Sequence, residues 1–151
     1  MARYTTSVST ARSAADAFAF MADLRHFATW DPGVTGVTQV SGDGGGADAV
    51  FDVVVKGVPK DITLRYVTKE YAPPTGSTKG SLLVVAKSRM LTSIDRVTVA
   101  PTETGCHVTY DAELLLNGPL KLLDPLLGLS FKKIGDRAAA GLVAALAGTK
   151  V

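Results

Sequence analysis

Along most of the chain, apolar and polar side chains alternate one by one, the period of a strand with one covered face. Residues 3–10 alternate weakly and are rich in Thr, Val and Tyr, which predicts an opening strand. Between Val34 and Leu116 the pattern predicts six more, at 34–41, 48–56, 61–70, 78–86, 89–99 and 106–116. The separators carry turn chemistry: the glycine-rich run Gly42–Gly46, Gly57–Val58–Pro59, Pro73–Gly76 and Pro101–Gly105. The break near Lys87 is the least marked, and residues 78–99 also read as a bent hairpin. Links this short favour antiparallel neighbours, because a parallel pair needs a crossover of a dozen or more residues.

Alternation also assigns faces. Phe51, Val53 and Val55 oppose Asp52 and Lys56, while Ile62, Leu64 and Tyr66 oppose Arg65 and Lys69. Val108, Tyr110, Ala112 and Leu114 oppose His107, Thr109, Asp111 and Glu113. Strand 89–99 resists the scheme. Val97 and Val99 share parity with Asp95, whereas Ile94 does not, so either a bulge shifts the register or Asp95 is buried.

Two stretches have helical spacing instead. In SAADAFAFMADL, Ser13 is placed to cap a helix and Asp16 to meet its free N–H groups, with Ala14, Ala17, Phe18, Met21 and Leu24 on one face. Asp31–Pro32–Gly33 ends that region. Near the C-terminus, Asn117–Gly118–Pro119 opens a turn over about 119–126, and Asp124–Pro125 has the form of a cap and first residue. A longer helix is predicted from about Leu127 to Leu146, its apolar face formed by Phe131, Ile134, Ala138, Gly141, Leu142, Ala145 and Leu146. At 1.5 Å per residue it would span roughly 30 Å, enough to cross a sheet. The small residues on that face either permit close helix–sheet approach or leave volume for a ligand. Together these elements predict a single α+β domain over 1–151, a seven-stranded curved antiparallel sheet around a long C-terminal helix.

Composition narrows the picture without changing it. With 151 residues, 46% hydrophobic and 20% charged, the chain is expected to be one globular domain. The single cysteine, Cys106, excludes an internal disulfide. Residues 1–20 are interrupted by Arg3, Arg12 and Asp16, and no uncharged run approaches the roughly 18 residues of a membrane span. A soluble cytoplasmic protein with no integral membrane segment is the expectation. The net charge of +2 is small, and Lys121, Lys132, Lys133, Arg137 and Lys150 read as the solvated side of an amphipathic helix. No basic groove with interleaved aromatics points to nucleic acid.

Candidate chemistry is sparse. Cys106 and His107 adjoin but face opposite ways, and His26 is the only other histidine, so neither a metal site nor a cofactor is expected. The glycine run lacks the Lys–Ser/Thr sequel of a phosphate loop, and no nucleophile elbow is present. The weak catalytic candidates are Asp95, Tyr66, Tyr110 and His26, the last lying close to Trp30 and Asp31. A buried Asp95 would be neutralised by Arg65 or Arg96, hydrogen-bonded by hydroxyls, or held as an acid of raised pKa.

The order strand, short helix pair, six strands, long helix resembles the START-like, or Bet v 1-like, helix-grip superfamily, and within it the polyketide cyclase/dehydrase-like branch. SAADAFAFMADLRHFATWDPGV at 13–34 and LTSIDRVTVAPTETGCHVTYDAELLLNGPLKLLDPLL at 91–127 carry the likeness. It implies a cavity between sheet and helix that takes a hydrophobic or amphipathic small molecule or a lipid. From the first half, Phe18, Met21, Trp30, Phe51, Val53, Leu64 and Tyr66 are expected to contact that molecule. From the second half, Ile94, Tyr110, Phe131, Ile134, Ala138, Gly141 and Leu142 are. The tyrosine hydroxyls would orient the ligand in a mostly apolar pocket. Three functions are compatible: a binding or carrier domain, a cyclase or dehydratase, and an adaptor using the basic helix on a protein or membrane surface. The assembly expected is a monomer or a homodimer.

Overall fold

The computed structural model describes residues 2–57 and 60–151, with side chains described except over 121–130. Val58 and Pro59 of the expected turn, and the Lys121 side chain, lie outside the described residues. The chain forms strands β1 (Ala2–Thr10), β2 (Val34–Ser41), β3 (Val50–Val55), β4 (Ile62–Ala72), β5 (Gly80–Lys87), β6 (Leu91–Pro101), β7 (Cys106–Leu116) and β8 (Thr149–Lys150). Helix α1 (Ala14–Ala22) and the short α2 (Phe27–Trp30) follow β1, and α3 (Asp124–Ala145) follows β7. All neighbours are antiparallel, in the order β2-β3-β4-β5-β6-β7-β1-β8. Among the described residues, no helix is long and apolar enough to cross a membrane.

Among the described residues the sheet has eight strands rather than seven. The extra strand, β8, pairs Thr149 and Lys150 with Ser9 and Val8, and two residues are too few for any alternation to be visible. The long helix starts at Asp124, three residues before the expected position, directly after a 3-10 turn at Gly118–Leu123. Ser13 caps α1 by accepting a hydrogen bond from the Asp16 N–H at 3.1 Å. The outer face of the sheet is tied by cross-strand ion pairs, Arg65 with Asp52, Arg96 with Glu70 and Arg3 with Asp111.

β6 pairs with β5 and β7 without any register shift, so the parity conflict is resolved by burial. Ser93, Asp95, Val97 and Val99 all face inward, and Ile94 turns to the outer face between Val85 and Glu113. Ile94 is therefore no part of the inner surface, contrary to expectation.

α3 rests on β1 and on α2 rather than lying flat across the whole sheet. Gly135 sits against the Tyr4 ring, where an added β-carbon would overlap ring atoms. The Tyr4 hydroxyl then donates to Asp136 at 2.7 Å, pinning the same turn. Gly141 meets the backbone carbonyl of Trp30 so closely that a β-carbon would overlap the oxygen. At Gly141 the small-residue reading thus resolves as close backbone approach, but to α2 instead of the sheet, whereas Ala138 borders open volume. Leu142 and Leu146 are fully buried, whereas Ile134 is 46% exposed and is not packed into the core as its spacing suggested. Over 22 residues the helical pattern drifts, and Ile134 lands on its margin.

These placements predict unequal costs. Leu142→Ala should destabilise by ~2–5 kcal/mol, through lost burial plus the space left behind. Ile134→Ala should change stability by less than ~1 kcal/mol, because much of that side chain is already in water. Gly141→Ala should destabilise despite its better helix propensity, since no room exists for the methyl group. Urea unfolding of the three variants checks the order; an Ile134→Ala loss as large as that of Leu142→Ala would contradict this packing.

Candidate ligand-binding cavity

Because α3 is seated on β1 and α2, the central strands are not covered tightly at one end, and a cavity of about 440 Å³ remains there. That is within the range of small-molecule sites. Its walls are mostly apolar: Phe27 and Trp30 from α2, Leu64 from β4, Leu91 from β6, Ala112 and Leu114 from β7, and Phe131 and Ala138 from α3. Trp30 stacks on Phe27 with ring centres 4.7 Å apart and meets Tyr110 edge-on at 5.2 Å. Phe27 in turn approaches Tyr66 edge-on at 6.4 Å, so four aromatic rings form a continuous wall.

One part of this lining is polar. The Tyr110 hydroxyl donates to Asp95 Oδ2 at 2.7 Å, and Ser93 donates to Asp95 Oδ1 at 3.1 Å. The Tyr66 hydroxyl donates to Ser93 at 2.8 Å. All four residues are buried and all line the cavity. Strand period explains the convergence, since Ser93 and Asp95 are two apart on β6 and point the same way. Arg65 and Arg96 are engaged on the outer face, so hydroxyls rather than a cation hold Asp95. Burial pushes the Asp95 carboxyl up to about 6, against the opposing effect of the Tyr110 and Ser93 hydrogen bonds, with the nearby charge of Asp31 adding to the rise. Burial likewise raises both tyrosines well above the ordinary phenol value, and the Asp95 charge adds to it.

Asp31 borders the same cavity at the end of α2. Its Oδ1 accepts from the Gly33 N–H at 2.8 Å, the Asp–Pro–Gly turn closing on its own backbone. Burial raises its pKa and the Gly33 N–H lowers it in part. Thr6, on β1 opposite Tyr110, also lines the cavity, and its buried Oγ1 has no hydrogen-bond partner among the described residues. Among the described residues, no group of three or more His, Cys, Asp and Glu side chains is arranged to hold a metal ion.

Comparison with known proteins decides the family. The family described as polyketide cyclase / dehydrase and lipid transport matches residues 1–147. The chain belongs to that family. Among solved structures it is similar to a START superfamily protein from Mycobacterium smegmatis, with a TM-score of 0.72 at 13% identity, covering 95% of this chain and 96% of that one. It is also similar to the Zhui aromatase/cyclase from Streptomyces sp. R1128, with a TM-score of 0.67 at 9% identity over 95% and 90% of the two chains. A STAR-related lipid transfer protein fragment from Xanthomonas axonopodis gives 0.59 at 15% identity over 90% and 85%. At these identities the likeness is one of fold. The search of curated proteins found no match to the sequence.

Within this polyketide cyclase/dehydrase family fold, Trp30, Leu64, Tyr66, Tyr110, Phe131, Ile134 and Ala138 come together around the cavity, as does Asp95. Phe18, Met21, Phe51, Val53 and Leu142 do not; they are buried in the close-packed core on which the cavity stands. Gly141 is taken up by Trp30 and Ile94 lies outside. His26 is also apart: its ring stacks on Phe20 at 4.5 Å and its Nδ1 lies 3.0 Å from the Phe20 carbonyl oxygen, so it fastens α2 to α1. Sequence reasoning missed Tyr4, Thr6, Phe27, Asp31, Ser93, Leu91 and Leu114 as lining residues. For Thr6 and Ser93 the signal was present, since each shares strand parity with an inward neighbour, Val8 and Asp95.

The raised Asp95 carboxyl has a signed consequence for stability. An unfolded aspartate releases its proton near 3.8 and the folded one at about 6, so between them only the folded chain holds the proton. Folding stability from this group therefore falls as pH rises through that window and is level above it. The full shift corresponds to about 3 kcal/mol. The surface carboxylates Asp52 and Asp111, held low by Arg65 and Arg3, act in the opposite sense and lose stability as pH falls. Asp95→Asn isolates the first effect. In urea unfolding, the variant should gain ~2–3 kcal/mol relative to the parent between about pH 4 and about pH 8. A pH-independent difference would contradict a buried carboxyl held without a cationic partner.

Proposed function

We propose that this protein binds a hydrophobic or amphipathic small molecule in the cavity between the sheet and α3. The observation that carries the reading is the aromatic and aliphatic wall with its polar groups gathered around Asp95. A small set of polar groups in an apolar pocket orients a ligand without needing to react with it. Membership of a family described by both cyclase and lipid-transport activities is consistent with this. The neutral fluorophore N-phenyl-naphthylamine is a suitable probe. It should bind saturably, one per chain, and quench the fluorescence of Trp30, the only tryptophan in the sequence. Ala138→Leu adds volume on the α3 side of the cavity and leaves the residues of the Asp95 cluster unaltered, so affinity should fall by ~10-fold or more with a near-native Tm. Unchanged affinity in that variant, or no saturable binding to the parent, would overturn the reading.

A second reading rests on Asp95 itself. A carboxyl held at about 6 and hydrogen-bonded to Tyr110 can take up and release protons near neutral pH, which suits a cyclisation or dehydration of a bound polyketide-like chain. General acid–base action of this kind is worth ~10²–10⁴-fold. Asp95→Asn and Tyr110→Phe should then reduce turnover of a poly-β-ketone thioester by ~100-fold with the fold retained, as far-UV circular dichroism would check. Rates unchanged in both variants would remove the catalytic assignment and leave binding alone.

A further inference from the structure

The hydroxyl protons of the polar cluster are all committed inward. Tyr66 donates to Ser93, Ser93 donates to Asp95, and Tyr110 donates to Asp95 from the other side. No O–H of the cluster is left to point into the cavity; what faces a ligand is oxygen lone pairs. The buried and half-buried charges on the lining are both negative, Asp95 and Asp31, and among the described residues neither has a cationic partner within ion-pair distance. Lys56 and Arg137 also border the cavity, but both are exposed at its mouth. A third feature is Thr6, whose buried Oγ1 has no partner among the described residues and lies beside Tyr110 on the adjoining strand. Its oxygen can accept as well as donate.

The acceptor oxygens of the cluster and the negative charge without a counter-ion define the complement, and the Thr6 hydroxyl can accept from it. Resting on the small-molecule reading above, we infer that the preferred ligand is an organic cation, a protonated amine on an apolar body, with its N–H groups donating to the Asp95 cluster and its apolar part against the Trp30–Phe27 wall. A carboxylate ligand would meet two like charges and find no donor in the cluster. A neutral alcohol has one proton to give and no charge to offset that of the carboxylates.

The test uses three molecules of one shape: phenylbutylamine, phenylbutanol and phenylbutanoate, titrated into the full-length protein by calorimetry near neutral pH. The amine should bind ~10-fold or more tightly than the alcohol, as expected when a neutral hydrogen bond becomes charge-assisted, and the carboxylate should bind weakest. Asp95→Asn should weaken the amine more than the alcohol, so that the amine's advantage over the alcohol falls several-fold. Asp31→Asn, at the cavity edge and away from the sheet core, gives the same comparison if Asp95→Asn fails to fold. Alcohol or carboxylate binding as tight as the amine, or an amine preference unchanged in the variants that fold, would overturn the inference and leave the small-molecule reading standing. Failure of all three to bind while the neutral fluorophore binds also overturns it. Failure of the fluorophore as well overturns both.

Discussion

The contact between Gly141 and the Trp30 carbonyl fixes where the long helix lies, and the space above the sheet follows from it. A helix carrying side chains of ordinary size would stand off from α2 and settle onto the strands. Here the missing β-carbon lets backbone meet backbone, and Gly135 does the same over the Tyr4 ring. With α3 held at β1 and α2, Leu142 and Leu146 pack into the core while the face near Ala138 and Phe131 overhangs an unfilled volume. Trp30 joins the two, because its backbone seats the helix and its indole closes the aromatic wall over Tyr110.

Into that volume the regular register of β6 turns a carboxyl. A buried charge without a cation is costly, and such groups are tolerated when hydrogen bonds meet them or when function uses them. Three hydroxyls arranged in line, with Tyr110 and Ser93 bonded directly and Tyr66 supporting Ser93, supply part of the compensation. The rest is left as a raised pKa, with Asp31 at the cavity edge adding to it. The same geometry that makes Asp95 a liability for folding makes it the strongest source of electrostatic recognition inside the cavity.

Much of this was legible in the sequence. Period-two alternation located seven strands closely, and Ser13 announced α1, because those signals are local. The Asp95 dilemma was legible as a conflict of parity but not its outcome, since a bulge and a buried acid satisfy the same pattern. What stayed hidden depends on pairs of residues far apart in the chain. Nothing local to Gly141 says that it meets Trp30, and nothing local to Asp31 says that a turn residue borders a cavity. Phe18, Met21, Phe51 and Val53 read as ligand contacts because inward-facing apolar residues look alike whether they line a space or fill a core. Ile134 shows the converse: helical spacing marks a face, but not how much of that face is covered.

The central claim is that an aspartate sits inside the cavity, held among the described residues by hydroxyls and no cation. Carbon-13 NMR of the Asp95 side-chain carboxyl, assigned by comparison with Asp95→Asn, measures this directly. The resonance should titrate with a midpoint of about 6, shifted upward from the ordinary aspartate value of 3.8. A midpoint at or below that ordinary value would mean that Asp95 is solvated or paired with a cation, and the cavity described here would not have its polar end.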